Sequence, residues 1–134
     1  PGIRFGYAFG DPDLVERIET IRPPWSVNSI AEQFAIRAFG VFDELERSRS
    51  RINAEREWLV SALHEFPVKV HPSSTNFLLL TLPHDVTALC AGLARSGILV
   101  RDCHSFGLPD SIRIAVRTRE ENRQLLEAMG TCMR

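Results

Sequence analysis

The residues of this sequence best suited to chemistry are arginines set beside turns and short apolar stretches. Arg4 sits in Gly2-Ile3-Arg4-Phe5-Gly6-Tyr7. Two flanking glycines let the backbone turn sharply and approach a ligand, and the guanidinium can grip an anion through a two-pronged fork. Arg101 follows Ile98-Leu99-Val100, and Arg113 lies inside Ile112-Arg113-Ile114-Ala115-Val116. Strand side chains alternate, so an arginine between two isoleucines faces away from the core they enter. Two such arginines on neighbouring strands would clamp a carboxylate or phosphate. Each of the three could instead be a solvated or salt-bridged surface residue. Asn76 follows Pro72-Ser73-Ser74-Thr75, where it could line a site or bond its own backbone in a turn. Ser105 has the same two readings in the loop after Arg101.

The remaining reactive side chains argue less. His64, His71, His84 and His104 are scattered, and a general base needs an oriented partner that no spacing here provides. Cys103 lies between Asp102 and His104, yet neighbours in a strand point to opposite faces, so adjacency is poor evidence of contact. Cys90, Cys103 and Cys132 show no CxxC or Cys/His spacing. That argues against a zinc site and a disulfide framework, and it suits a reducing cytoplasm. No metal is expected.

These groups need elements to hold them. Asp11-Pro12-Asp13 reads as a helix start, with Leu14, Val15, Ile18 and Ile21 at helical spacing before Pro23-Pro24 stops the run. Ser29 and Glu32 have capping-box spacing, and Ile30, Phe34, Ala38, Val41, Phe42 and Leu45 trace one helical face. Helical character returns at Trp58, Leu59, Ala62 and Leu63 after a solvated Arg/Glu stretch. It is either one bent helix or two in series. Asn76 to Leu82 reads as a buried strand, Asp85 as the cap of a helix ended at Gly97, Ile98 to Arg101 and Ile112 to Val116 as strands, and Glu120 to Met129 as a closing helix. The expected class is α+β, a small mainly antiparallel sheet with helices packed on one face.

Composition sets the outer limits. Hydrophobic residues make up 44% and charged residues 25%, as in an ordinary folded domain. The net charge of -1 supports neither nucleic-acid nor membrane-surface binding, and no apolar run is long enough to span a bilayer. The opening Pro1-Gly2-Ile3-Arg4 reads as a chain cut from a longer one.

The ordered set PGIRFGY, PPWSVNSIAEQFA, HPSSTNFLLL, GILVRDC, SFGLPD and IRIAVRTREENRQLLEAM resembles the C-terminal part of fold-type I pyridoxal-phosphate enzymes of the aminotransferase superfamily. The resemblance covers almost the whole length. It implies that residues 1–25 end a cofactor-binding large domain, 26–66 form a long interdomain helix or helices, and 67–134 form the C-terminal small domain. It implies pyridoxal 5'-phosphate as cofactor in the intact protein, with Arg4 matching the arginine that binds its phosphate. The lysine that forms the Schiff base would lie upstream of Pro1, so this chain alone is expected to be inactive; its sole lysine, Lys69, stands in another context. Arg113 matches the arginine that binds the acidic group of the substrate. Arg101 matches a second arginine of members acting on phosphorylated substrates, and Asn76 the asparagine of their SxxNF motif.

The motifs RDC, SFGLPD and AVRT resemble threonine-phosphate decarboxylases, which serve cobalamin side-chain synthesis, more than the histidinol-phosphate aminotransferases of histidine biosynthesis. The partners implied are a small phosphorylated amino substrate and a second copy of the intact chain, as a homodimer. A reading of another class is a non-catalytic anion-binding or dimerisation module.

Overall fold

The computed structural model describes residues 3–38 and 40–133 and falls into two compact units, Pro1–Glu46 and Arg47–Arg134. In the first unit, helix α1 spans Pro12–Ile21. Asp11 caps it by accepting the Asp13 N–H at 3.0 Å, and proline occupies the first turn, where no donor is lost. Helix α2 spans Ser29–Ala38. Its cap lies one residue before the expected Ser29: the Asn28 side-chain oxygen accepts the Ala31 N–H at 2.8 Å. The buried residues of α2 are Ala31 and Ala35, whereas Ile30 and Phe34 of the expected apolar face are exposed. Helix α3, Phe42–Leu63, is separate from α2. Turn-type bonds from the N–H groups of Gly40 and Val41 to the carbonyls of Arg37 and Ala38 divide the two. The alternative of two helices in series is therefore the observed one.

The second unit carries a four-stranded antiparallel sheet. Its strands are β1 Lys69–Val70, β2 Phe77–Thr81, β3 Arg101–Asp102 and β4 Ser111–Ala115, in spatial order β1-β2-β4-β3. Helix α4, Thr87–Arg95, connects β2 to β3, and α5, Arg119–Cys132, follows β4. Strand β4 slots between β2 and β3, which therefore run parallel to each other as a split β-α-β unit. Gly97 has φ 77° and ends α4, because only glycine enters that left-handed region without strain. Residues 98–100, expected to be strand, are irregular, and regular pairing starts at Arg101.

Alternation builds the core. Leu78, Leu80, Ile112 and Ile114 are fully buried on one face of the sheet, packed with Leu59 and Leu63 of α3, Leu93 of α4, and Leu125 and Met129 of α5. One face is thus covered by helices, as the sequence pattern implied. The short β1 had no sequence signal, since two residues are too few to show a period.

After β4 the chain turns sharply into α5. The buried Asn122 accepts the Arg117 N–H and donates to the Arg117 carbonyl, both at 3.0 Å. Thr118 caps α5 in a reciprocal box with Glu121. Thr118→Ala is expected to cost about 0.5–2 kcal/mol of stability. A urea unfolding midpoint identical to that of the parent protein would show the cap to be idle.

Candidate functional site: an arginine row on the open face of the sheet

Arg113 occupies the middle of β4. Its backbone partners are Arg101 on β3 and Leu79 on β2. Residues opposed in an antiparallel pair project from the same face. Leu79, Arg113 and Arg101 therefore form one row on the face opposite the Ile112 and Ile114 core, with both arginines exposed. The structure brings Arg101 and Arg113 together. Asn76 lies one residue before β2, with its carbonyl accepting the Val116 N–H at 2.8 Å, so the register sets it opposite Val116 rather than beside an arginine. Arg4 belongs to the other compact unit.

Two like charges placed directly opposite each other repel, and such pairs destabilise a sheet. Among the described residues, no carboxylate forms an ion pair with Arg101 or Arg113. Both guanidinium groups instead rest against aromatic rings, Arg113 4.9 Å from the centroid of Phe77 and Arg101 5.3 Å from that of Phe106. A ring face attracts the cation yet leaves the edge of the guanidinium free to donate. Arg101 also donates from Nη2 to the Ser105 hydroxyl at 2.9 Å. The result is a pair of oriented cations with donors to spare, and a dianion seated there would turn mutual repulsion into two attractions.

Ser105 and Phe106 are presented by a single 3-10 turn, His104–Phe106, closed by Gly107 at φ 74°. The turn is anchored at its base, where the buried Cys103 donates its N–H to the Ser111 carbonyl at 3.2 Å. Its first residue, His104, stands between two carboxylates: Nε2 is 2.9 Å from Asp85 and Nδ1 2.5 Å from Asp102. Hydrogen bonds to Asp102 and then Asp85 raise the histidine above its usual range. Asp85 is held down at about 2, first by hydrogen bonds from Thr87 and then by His104, and Asp102 is lowered chiefly by the His104 backbone N–H.

In the first unit Arg4 adopts φ 58°, a left-handed conformation uncommon for a residue with a side chain. Asn28, while capping α2, donates from its amide to the Ile3 carbonyl at 3.2 Å and so ties down the residue before Arg4. Arg4 is exposed and makes no ion pair with any described residue. A Cβ placed on Gly6 would meet nothing within 4 Å, leaving room beside the backbone. Gly2 lies outside the described residues. The exposed guanidinium and the open space beside Gly6 leave room for an anion.

Sequence reasoning found the arginines but missed what orients them. Phe77 and Phe106 were unremarked, and Ser105 had no assigned partner. His104 was set aside because no oriented partner was visible: Asp102 lies two residues before it at the end of β3, and Asp85 nineteen residues before it, ahead of α4. The only available signal was the SFG turn itself, whose glycine forces the chain to double back beside Arg101. Among the described residues no group of three His, Cys, Asp or Glu could hold a metal ion. No described helix is long and apolar enough to cross a membrane.

The strand order and the arginine-bearing face define an α+β domain of a kind found in a large enzyme family. The family model for aminotransferase class I and II matches residues 1–129, and the chain belongs to that family. It is 34% identical over 132 residues to a histidinol-phosphate aminotransferase of Symbiobacterium thermophilum, an alignment covering 98% of this chain and 37% of that protein. The crystal structure of the histidinol-phosphate aminotransferase from Clostridium acetobutylicum superposes with a TM-score of 0.80 at 28% identity, over 99% of this chain and 42% of that one. The L-threonine-O-3-phosphate decarboxylase of Porphyromonas gingivalis superposes with a TM-score of 0.69 at 26% identity, over 99% of this chain and 42% of that one. The chain thus spans little more than a third of the length of the curated relative.

Proposed function

We propose that this chain is the C-terminal part of a pyridoxal-phosphate enzyme that acts on a small phosphorylated amino substrate, and that the enzyme is a threonine-phosphate decarboxylase. The observation that carries the reading is the exposed Arg101–Arg113 pair, two cations opposed across strands without a carboxylate between them. Such an arrangement suits a dianionic phosphate together with a carboxylate. Family membership supports the cofactor, and the RDC, SFGLPD and AVRT motifs support the decarboxylase. A histidinol-phosphate aminotransferase is the second reading, favoured by the number of relatives with that activity.

Arg4 holds the cofactor phosphate in this account. The cofactor, when bound, supplies an electron sink for charge that develops at the substrate Cα. Arg101 and Arg113 act by orientation. By fixing the phosphate and carboxylate they would set which bond at Cα is held ready to break, and hence whether carbon dioxide or a proton leaves. The reactive lysine is supplied by sequence outside this chain, and the enzyme works as a cytoplasmic homodimer. A non-catalytic anion-binding module remains the reading of another class, and it predicts no turnover at all.

The test uses the full-length protein with pyridoxal phosphate and O-phospho-L-threonine, no keto acid present, and measures carbon dioxide. Release beyond one equivalent per active site is the expected result. Amine transfer from histidinol phosphate to 2-oxoglutarate, without that release, would instead make it the histidine-pathway enzyme.

A further inference from the structure

We propose that His104 is a positioning residue, a proton-dependent latch that holds the 103–107 turn against Arg101 and thereby sets the enzyme's grip on the substrate phosphate. The inference rests on the proposed phosphate-binding role of Arg101 and extends it to residues that role does not include.

The geometry makes the case. His104 spans two separate pieces of the fold: Asp85 just before α4 through Nε2, and Asp102 on β3 through Nδ1. A neutral imidazole carries one N–H and so can satisfy only one of two carboxylates. The other ring nitrogen would then turn a lone pair toward a negatively charged oxygen. Only the imidazolium donates to both. Each carboxylate is in turn fixed by the backbone, Asp85 accepting the Thr87 N–H at 2.8 Å and Asp102 the His104 N–H at 2.7 Å. The first turn of α4, the histidine and β3 are therefore stitched together only in the protonated state.

What the stitch holds is the next two residues. Ser105 accepts a hydrogen bond from Arg101 at 2.9 Å, and Phe106 lies beneath the same guanidinium. Arg101 therefore takes its direction from the turn that His104 fastens.

The ionisable groups facing His104 are Asp102 at the end of β3 and Asp85 just before α4; the Cys90 thiol of α4 lies near both carboxylates and is pushed up, chiefly by burial. The histidine is raised, so its contribution is complete below the ordinary histidine range and is lost as pH rises through the raised value. Both carboxylates are lowered, so theirs is lost only in strong acid. The latch is closed below the ordinary histidine range and opens as pH rises through the raised value.

Sulfate is the suitable probe, because its charge is constant over this range. Sulfate affinity of the full-length holoenzyme is measured by calorimetry from about pH 6.5 to about pH 8.5, and the expected fall on the alkaline side is about five- to twentyfold. In His104→Gln, which keeps one donor but cannot titrate, the affinity is expected to be lower at acidic pH and flat within about twofold. By reciprocity, saturating sulfate raises the pKa of His104 in the wild-type protein, read from its imidazole resonances. That measurement needs no variant. An unchanged pH slope in His104→Gln, or a histidine pKa indifferent to sulfate, would overturn the latch while leaving the phosphate reading intact. Failure of the wild-type protein to bind sulfate or phosphorylated substrate at any pH would overturn both.

Discussion

Arg113→Ala in the full-length enzyme lowers kcat/KM for its phosphorylated substrate by about 30- to 1000-fold, the range for losing a charge-assisted pair to a bound anion. Arg113 stands at the centre of the row, flanked by Arg101 and Leu79 and stacked on Phe77. The loss should fall on both KM and kcat, because the anion anchor fixes the substrate in the ground state and aligns its scissile bond. Arg113→Lys tests the geometry separately. It keeps the charge but loses the planar fork and the stacking, and recovers only part of the activity. Folding should be unaffected, since the residue is exposed and its neighbours on the core face are Ile112 and Ile114. An unchanged kcat/KM in Arg113→Ala would remove this residue from the site.

The second large effect is on stability. Leu80→Ala deletes a fully buried side chain from β2, where its backbone partners are Val70 on one side and Ile112 on the other. The cavity opens in the middle of the sheet, on the face the helices cover, and the expected cost is about 2–5 kcal/mol. For a domain of this size that lowers Tm by roughly 10 °C or more. Trp58 reports the transition, because it packs against the core, whereas Trp25, the other tryptophan, is 96% exposed. Leu99→Ala is the matched control. Leu99 is 87% exposed, so its removal should change stability by less than about 0.5 kcal/mol. Equal unfolding midpoints for the two leucine variants would contradict the assignment of the core.

The legible and illegible parts of this chain divide by range. Alternation in Ile112-Arg113-Ile114 was enough to place Arg113 on the open face, because the isoleucines have only one core to enter. Gly97 and the Asp11-Pro12 pair marked helix ends through constraints that a single residue carries in its own backbone. On α2 the apolar face and the buried positions differ, for a complementary reason. Periodicity reports which side of a helix is apolar, but the buried positions there are the small Ala31 and Ala35, not Ile30 and Phe34. The bridge from Asp85 through His104 to Asp102 was invisible, since it depends on the β2–α4–β3 crossover bringing two distant segments together. Two arginines on neighbouring strands were legible from alternation, but their register, Arg101 directly opposite Arg113, was not, because residues 98–100 are irregular and pairing starts only at Arg101.

The central claim is that the arginine row reads a phosphate. The most direct measurement compares kcat/KM for O-phospho-L-threonine with that for L-threonine, in the wild-type enzyme and in the Arg101→Ala/Arg113→Ala variant. The account predicts a preference for the phosphorylated compound of about a thousandfold or more in the wild type, falling to within about tenfold in the double variant. A preference of the same size in both proteins would show that the phosphate is recognised elsewhere, and would contradict the account.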